Sequence, residues 1–443
     1  MDNTATVELA GESLATTSSQ PDWLEAVSGF RSRSRGRSLG ADGGSESGTC
    51  TNFEEAAEPS SECQGVVRDS GDDRLLMLNT IKWLEAMDRR VWATDLKNSW
   101  YRQFISCMNR LAAIAILAEP HVGGKTNTSP ILYLTMKEAG AKLTEPYPPA
   151  GLILIRCSGG AATDGTGIRD FLEGLRGYRK VDVQDPRRKV GGSLATSWNT
   201  SKVVNRFGMN TPPEQEPPIN LLDLDCTQPK VVPDCFIPDN MRFLSKLKPD
   251  AGRPAIGSSI KVEWCLLGQA GSGSLPHFDH CGFWTWVMVQ EGLKLWLVCK
   301  LSDDERKTFA SEGINFSGGE WYIVPMRKGD VIVMAPGTVH AVFSPVDTLC
   351  FGGNAWSNFT MGDTMKSIYE ERVNPAVTND NQPSELSSLL DEAARRIRVS
   401  GSMDKYGGRD QVDMFFKYYK VGNPICPVVI TNKPRGLEME GDK

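Results

Sequence analysis

From residue 261 onward, short apolar runs alternate with turn residues. These runs occupy residues 262–267, 283–290, 294–299, 320–325, 330–334 and 341–343. Many short strands separated by turns are typical of a double-sheet jelly roll rather than of a parallel sheet. The tight connection at Glu291 and Gly292 predicts a hairpin between the second and third runs. The sequence therefore predicts a mainly β fold with helical additions.

A candidate metal site lies inside this region. His277 and Asp279 form a His-x-Asp pair after a glycine-rich stretch, and His340 closes a later apolar run. Side chains alternate along a strand, so both members of the pair lie on one face. Two imidazoles and one carboxylate on one side of a metal leave the other positions open, which suits Fe(II) that holds a chelating cosubstrate and O₂. We predict that these three residues are the metal ligands and the catalytic centre.

Composition narrows the class of protein. The chain has 443 residues, enough for two ordinary domains or for one large domain with appendages. A net charge of −6 gives no general reason to expect nucleic-acid binding. The 11 cysteines include no Cys-x-x-Cys pair, which argues against a zinc finger or a disulfide framework and favours buried thiols. No apolar run approaches the roughly 20 residues that are needed to span a bilayer, and no signal peptide is recognisable, so cytosol or nucleus is expected.

The chain also divides by composition. Residues 1–70 are rich in small and polar residues and are predicted to be disordered. Their alternating arginines, Arg31, Arg33, Arg35 and Arg37, form either a solvated tail or a nuclear-targeting patch. Three further regions are predicted: a helical region at 72–145, a catalytic domain at 150–360 with its core motifs at 260–360, and a C-terminal helical region at 361–443.

Several local elements are predicted inside these regions. Apolar residues spaced three and four apart predict a pair of helices between residues 72 and 119. Further predictions are strands at 131–135, 151–156, 181–184 and 219–224, a helix at 167–178, a long loop at 185–218, and helices at 361–373 and 384–398.

The motifs resemble the JmjC family of Fe(II)- and 2-oxoglutarate-dependent oxygenases. Three segments carry the likeness: Ser-Leu-Pro-His-Phe-Asp at 274–279, Glu-Gly-Leu-Lys-Leu-Trp-Leu at 291–297, and His-Ala-Val-Phe-Ser-Pro-Val-Asp-Thr-Leu-Cys-Phe-Gly-Gly-Asn at 340–354. They look closest to the plant-homeodomain-associated and F-box-associated lysine demethylases, and a looser likeness to fungal JmjC proteins reaches back to about residue 150. The resemblance implies a double-stranded β-helix, a cupin-like jelly roll, flanked by N- and C-terminal helices.

The resemblance also implies roles for particular residues. His277, Asp279 and His340 would hold Fe(II). Lys294, at the family's spacing from the first histidine, would pair with the distal carboxylate of 2-oxoglutarate, since a buried cation needs an anionic partner. Ser274 stands where relatives have a threonine that contacts the same carboxylate. Asn354 either faces the iron pocket or caps a turn.

Two positions depart from the family pattern. Relatives have a tyrosine that helps to bind 2-oxoglutarate where this chain has Val287, and an aromatic residue where it has His280. These changes leave the candidate iron ligands intact, and Val287 lacks the hydroxyl group that relatives use to bind the cosubstrate. The tryptophans of this region, Trp284, Trp286 and Trp296, are interpreted as core aromatics.

Three classes of function remain open. The first, which we favour, is an N-methyl-lysine demethylase acting on a protein, including a histone tail, in the nucleus. The second is a hydroxylase of carbon atoms in proteins or small molecules that uses the same iron site. The third is a non-catalytic JmjC scaffold. No cysteine pattern that would build a plant homeodomain or a DNA-binding finger is present, so demethylation is a family-level analogy.

Overall fold

A computed structural model describes residues 70–93, 99–118, 130–146, 148, 151–156, 167–184, 195–208, 216–224, 233–236, 238–247 and 260–422. Apart from Ser70, the tail that is predicted to be disordered, with its arginine patch, lies outside these residues. Of the helices that the structure describes, none is long and apolar enough to cross a membrane.

Helices lie on both sides of the strand-rich region along the chain. The helices are α1 (Ser70–Ala93), α2 (Ser99–Ile114), α3 (Met136–Leu143), α4 (Ile168–Leu175), α5 (Thr200–Gly208), α6 (Phe243–Lys246), α7 (Asp303–Glu312), α8 (Met361–Val373), α9 (Leu386–Ser400) and α10 (Gly408–Gly422). The predicted helix pair before residue 119, the helix at 167–178 and the helix at 361–373 are confirmed. Helix α9 runs from Leu386 to Ser400, two residues later at each end than predicted.

Capping explains where two of the helices begin. Thr135 accepts a hydrogen bond from the backbone of Glu138, whose carboxylate accepts one in return from the backbone of Thr135. Ser302 and Glu305 form the same reciprocal pair before α7. Each capping box satisfies backbone groups that a helix end leaves without a partner.

The strands form two sheets. They are β1 (Ile116–Leu117), β2 (Ile131–Leu134), β3 (Leu152–Ile155), β4 (Lys180–Gln184), β5 (Ala195–Asn199), β6 (Asn220–Leu224), β7 (Glu263–Gly268), β8 (Gly273–His277), β9 (Trp284–Glu291), β10 (Leu293–Lys300), β11 (Glu320–Arg327), β12 (Val331–Met334), β13 (His340–Phe343) and β14 (Thr348–Ala355). One sheet has the order β1-β11-β10-β13-β8, and the other has the order β2-β3-β12-β9-β14-β7-β6-β4-β5.

A shared apolar core joins the two sheets. Val287 and Ile332 of the nine-stranded sheet belong to the same buried cluster as Trp296, Val324 and Val342 of the five-stranded sheet. Most strand pairs are antiparallel, and the exceptions are β1 with β11 and β2 with β3. Fully burying a side chain of this size stabilises the fold by roughly 1.5–3 kcal/mol. The predicted double-sheet jelly roll with flanking helices is confirmed.

The predicted hairpin between β9 and β10 is wrong. Strand β9 pairs with β12 and β14 in the nine-stranded sheet, whereas β10 pairs with β11 and β13 in the five-stranded sheet. The Glu291–Gly292 connection is therefore a corner at which the chain crosses from one sheet to the other. Gly292 has a φ of 91°, and a Cβ atom there would lie 2.2 Å from the carbonyl oxygen of Asp347, so the corner requires glycine.

The predicted loop at 185–218 is wrong for residues 195–208. Strand β5 and helix α5 occupy residues 195–208 without a break. β5 lies at the edge of the nine-stranded sheet beside β4, and its exposed positions carry polar residues such as Ser197 and Asn199. An edge strand of this composition lacks the apolar run by which the other strands were predicted.

Candidate metal centre and its pocket

His277 and His340 lie on neighbouring strands. His277 ends β8, His340 begins β13, and their Cα atoms are direct partners in the antiparallel pair. Oδ1 of Asp279, two residues beyond β8, lies 3.9 Å from Nε2 of His277 and 3.8 Å from Nε2 of His340. The structure thus brings together one ligand atom from each of the three residues, all within 4.8 Å of one another. This spacing suits a single ion that is bound at about 2.1 Å from each atom.

Backbone carbonyls orient both imidazoles. Nδ1 of His277 lies 2.7 Å from the carbonyl oxygen of Leu275, and Nδ1 of His340 lies 2.9 Å from that of Thr338. A carbonyl oxygen only accepts, so each Nδ1 carries a proton, and in the neutral imidazole Nε2 then keeps a free lone pair for a metal. This is the usual support of a metal-binding histidine, whose second nitrogen donates to a neighbouring acceptor.

The environment keeps His277 in the neutral form. The pKa of His277 is lowered to about 3, mainly because burial disfavours the imidazolium ion and also because His340 lies beside it. The carboxylate of Asp279 acts in the opposite direction but is outweighed. Because metals bind neutral imidazole, His277 can bind a metal without first losing a proton near neutral pH.

The turn after Asp279 has an unusual backbone. Cys281 has a φ of 57°, which costs a residue with a side chain about 1–2 kcal/mol. Its amide donates to Oε2 of Glu371 on α8 at 2.9 Å, and its carbonyl accepts from Nε1 of Trp356 at 3.0 Å. Contacts from α8 and from the residue after β14 thus hold the turn that follows the candidate carboxylate ligand.

A pocket opens beside the three candidate ligands, between the two sheets. Its walls include Lys294 and Trp296 from the five-stranded sheet and Val287 from the nine-stranded sheet. Less buried residues, among them His280 and Asp380, also line it. The pocket therefore joins the candidate metal ligands to both inner sheet faces.

Lys294 brings a deeply buried amine to this pocket. Its side chain is 1% exposed, and its Nζ atom has no hydrogen-bond partner among the residues that the structure describes. Burial lowers its pKa, because a protonated amine loses its hydration there. A buried cation is normally paired with an anion, so the position of Lys294 indicates an anionic ligand.

Trp296 is a pocket residue whose role the sequence analysis missed. It is a buried core aromatic, as interpreted, with 2% exposure. It also lines the pocket, and its ring stacks on that of His340 with a centroid distance of 5.8 Å and an angle of 21°. The available signal was its position two residues after Lys294, since alternate strand residues share a face.

Ser274 and Asn354 both lie at the pocket. Ser274 is 6% exposed on β8, opposite Val342 of β13. Asn354 is on β14, and its Nδ2 donates to the carbonyl oxygen of Lys261 at 3.1 Å. Asn354 therefore lies in a strand rather than capping a turn.

The chain is similar to several known proteins that are named as demethylases. No protein-family model matches the chain. The chain is 23% identical over 217 residues to a Xenopus tropicalis protein named lysine-specific demethylase 7A, a match that covers 46% of this chain and 23% of that protein. It is 30% identical over 114 residues to JmjC domain-containing histone demethylation protein 1 of Debaryomyces hansenii, which covers 21% of this chain and 22% of that protein.

A third relative is also named as a histone demethylation protein. The Aspergillus fumigatus JmjC domain-containing histone demethylation protein 1 is 27% identical over 221 residues, which is 46% of this chain and 15% of that protein. The chain is a homologue of JmjC-domain histone demethylases. In each of these three matches, the aligned part of the chain covers well under half of the relative's own length.

The two departures from the JmjC pattern both line the pocket. Val287 is 1% exposed and belongs to the apolar cluster between the sheets, so it brings no polar atom to the pocket wall. Nδ1 of His280 lies 3.8 Å from Oδ2 of Asp380, and its ring packs edge-on against Phe283. With these contacts, His280 lies at the less buried side of the pocket rather than joining the ligand cluster.

Proposed function

We propose that the protein is an Fe(II)- and 2-oxoglutarate-dependent dioxygenase of the JmjC type. One observation carries the proposal: the unpaired, buried ammonium of Lys294 shares a pocket with His277, Asp279 and His340. Two neutral nitrogen donors and one carboxylate suit Fe(II) with open positions. A dicarboxylate that chelates the iron at one end would present its other carboxylate to the lysine. The residues present thus fit both groups.

The chain's own residues supply binding and orientation. His277, Asp279 and His340 would hold the ion on one side, with the carbonyls of Leu275 and Thr338 fixing the two imidazoles. With Fe(II) and the 2-oxo acid bound, the site would use O₂: one oxygen atom would enter succinate as the 2-oxo acid loses CO₂, and the other would be inserted into a substrate C–H bond.

Three side chains would hold the cosubstrate. Lys294 would form an ion pair with the distal carboxylate, and Ser274 lines the same pocket with a hydroxyl that can donate to it. Asn354 would contribute through the polar atoms that its bonds to Lys261 and Thr285 leave available. The apolar wall at Val287 excludes water, which strengthens each of these contacts.

We further propose that the substrate is an N-methylated lysine of a protein, including a histone tail. The names of the relatives support this class, since they are called lysine-specific demethylases and histone demethylation proteins. Hydroxylation of an N-methyl group gives an N-hydroxymethyl product, which breaks down to formaldehyde and the free amine. Asp380 lines the pocket on its less buried side and offers a carboxylate to a cationic side chain.

This function would place the protein in the nucleus as a chromatin regulator. The alternating arginines, Arg31, Arg33, Arg35 and Arg37, offer a basic patch that could direct it there. Replacing all four with alanine should move a fluorescently tagged protein into the cytosol. Nuclear retention of that variant would remove the patch as a targeting signal, and cytosolic residence of the wild-type protein would favour a cytosolic substrate.

The proposed function is tested in two steps. The purified protein with Fe(II), ascorbate and 2-oxoglutarate should form succinate, and His340→Ala should not, whereas the surface variant Lys300→Ala should keep wild-type activity. Methyl-lysine peptide arrays then identify the substrate, read as formaldehyde release and loss of a methyl group by mass spectrometry. A product that gains one oxygen atom without formaldehyde would instead indicate a carbon hydroxylase. No succinate with any peptide would favour a non-catalytic scaffold.

A further inference from the structure

The indole of Trp296 is a second buried donor without an acceptor in the pocket. Nε1 is buried and makes no hydrogen bond within the described part of the chain. Three other buried indoles do have acceptors: Trp284 donates to Oγ1 of Thr360 at 2.8 Å, Trp321 to the carbonyl of Gly318 at 2.9 Å, and Trp356 to the carbonyl of Cys281 at 3.0 Å. An indole N–H only donates, and leaving it buried without an acceptor costs free energy.

Trp296 and Lys294 share one face of β10. They are two residues apart on the strand, so both side chains enter the pocket, about 7 Å apart at their Cα atoms. A carboxylate has two oxygens and can accept several hydrogen bonds at once. One carboxylate between the two side chains would therefore satisfy both the ammonium and the indole N–H.

The rest of the pocket wall favours this assignment. Val287 faces Trp296 within the same apolar cluster and has no polar side-chain atom to offer. The Trp296 ring stacks on His340, so the indole is held against one of the candidate metal ligands. A ring fixed in this way holds its N–H in place before a ligand arrives, so little ordering entropy is lost on binding.

We propose that Trp296 donates a hydrogen bond from Nε1 to the distal carboxylate of the 2-oxo acid, beside Lys294. The proposal rests on the proposed function and names a further residue that determines cosubstrate specificity. Trp296 selects a dicarboxylate over a 2-oxo acid with an apolar end, because only the former satisfies its N–H.

The test measures ligand binding rather than turnover. Dissociation constants for 2-oxoglutarate and for 2-oxopentanoate, which has a methyl group in place of the distal carboxylate, are determined by calorimetry on the Mn(II)-loaded, oxygen-free protein. Trp296→Phe keeps an aromatic ring and removes the N–H. Trp321→Phe, which removes a bonded indole donor in another cluster, is the matched control. Incorporating benzothienylalanine at position 296 keeps the bicyclic shape without the N–H, should the phenylalanine variant fold poorly.

We expect the loss of the Trp296 N–H to weaken the binding of 2-oxoglutarate alone. Trp296→Phe should weaken 2-oxoglutarate binding at least about tenfold, as expected for a hydrogen bond to a charged acceptor. Binding of 2-oxopentanoate and of Mn(II) should not change, and Trp321→Phe should match the wild type. Unchanged 2-oxoglutarate affinity, or equal weakening of both acids, would overturn the role of Trp296 while leaving the proposed function standing. A wild-type protein that binds no 2-oxoglutarate would overturn both.

Discussion

Two cationic side chains near the sheets, Lys294 and Arg156, have opposite surroundings. Lys294 reaches into the pocket, where its ammonium has no acceptor among the described residues. Arg156 follows β3 and lies in a cluster with Asp330, Asp73 and Arg327, here called the Arg156 cluster. Its guanidinium donates to Oδ2 of Asp330 at 2.7 Å and to Oδ2 of Asp73 at 3.2 Å.

This difference separates a binding group from a structural one. The side chain of Asp330 is fully buried, and Arg156 together with the amide of Arg327 compensates its charge. The buried carboxylate of the Arg156 cluster is therefore paired with a cation of the chain itself, and the cluster joins α1, β3 and the turn before β12. In the pocket, Lys294 and Trp296 have no acceptor among the described residues, which is costly unless a ligand supplies one. Each prediction below tests this contrast.

The largest effect is expected at the candidate ligands. His277→Ala combined with His340→Ala removes both nitrogen donors, so metal bound after loading with Mn(II) should fall from about one ion per chain to background. The thermal transition should stay cooperative, because the imidazoles bond to nearby carbonyls and contact each other and Trp296, whereas the apolar cluster that joins the two sheets is left in place. Elemental analysis and calorimetry measure both quantities. Metal content equal to the wild type would remove the triad as the metal site.

The next effect concerns the Arg156 cluster. Arg156→Met leaves the carboxylate of Asp330 buried without its cation and should lower the free energy of unfolding by about 3–5 kcal/mol. Chemical denaturation measures this change, and Arg156→Met with Asp330→Asn should recover part of it, since the buried charge is then gone. Metal affinity of the folded variant should equal that of the wild type. A loss below about 1 kcal/mol would mean that the cluster is only a surface ion pair.

Lys294→Met should behave in the opposite way. Methionine removes the buried cation and has a side chain of similar length. The stability of the ligand-free protein should therefore stay unchanged or rise. Denaturation under the same conditions, beside Arg156→Met, makes the comparison direct. A strongly destabilised Lys294→Met would show that the ammonium has a structural partner, and the contrast between the two regions would fail.

The smallest effect is a pH dependence. Burial lowers the pKa of Lys294 below its ordinary value of 10.5, because the folded state disfavours the protonated amine. The unfolded chain therefore binds more protons between the folded-state pKa and 10.5, so stability relative to Lys294→Met should increase as the pH rises through this range. Lys300→Met, at an exposed position on the same strand, should show no such difference. Parallel curves for Lys294→Met and the wild type would contradict this expectation.

Much of the fold could be predicted because its signals are local. Short apolar runs and turn residues indicated the strands after residue 261, and helical periodicity indicated α1, α2 and α8. The partners of β9 and β10 could not be predicted in this way. Both strands are buried on both faces, so no alternation of polar and apolar residues indicates which sheet either one joins.

The candidate site likewise contains some residues that could be predicted from the sequence and others that could not. His277, Asp279 and His340 were predicted because metal chemistry restricts the residue types that can serve, and strand geometry relates a His-x-Asp pair. Trp296 was taken for a core residue, since an unsatisfied N–H is a property of the folded surroundings and not of the residue. The support from Glu371 to the turn at Cys281 was equally invisible, because the two residues are far apart along the chain.

The most direct test of the account is a titration of 2-oxoglutarate into the Mn(II)-loaded wild type and into Lys294→Met. The account predicts one binding site in the wild type, and at least about tenfold weaker binding in Lys294→Met from the loss of a charge-assisted contact. Metal affinity and stability should not fall. Equal 2-oxoglutarate affinity in the two proteins would contradict the account, because the pocket would then not use the buried lysine to bind its anion.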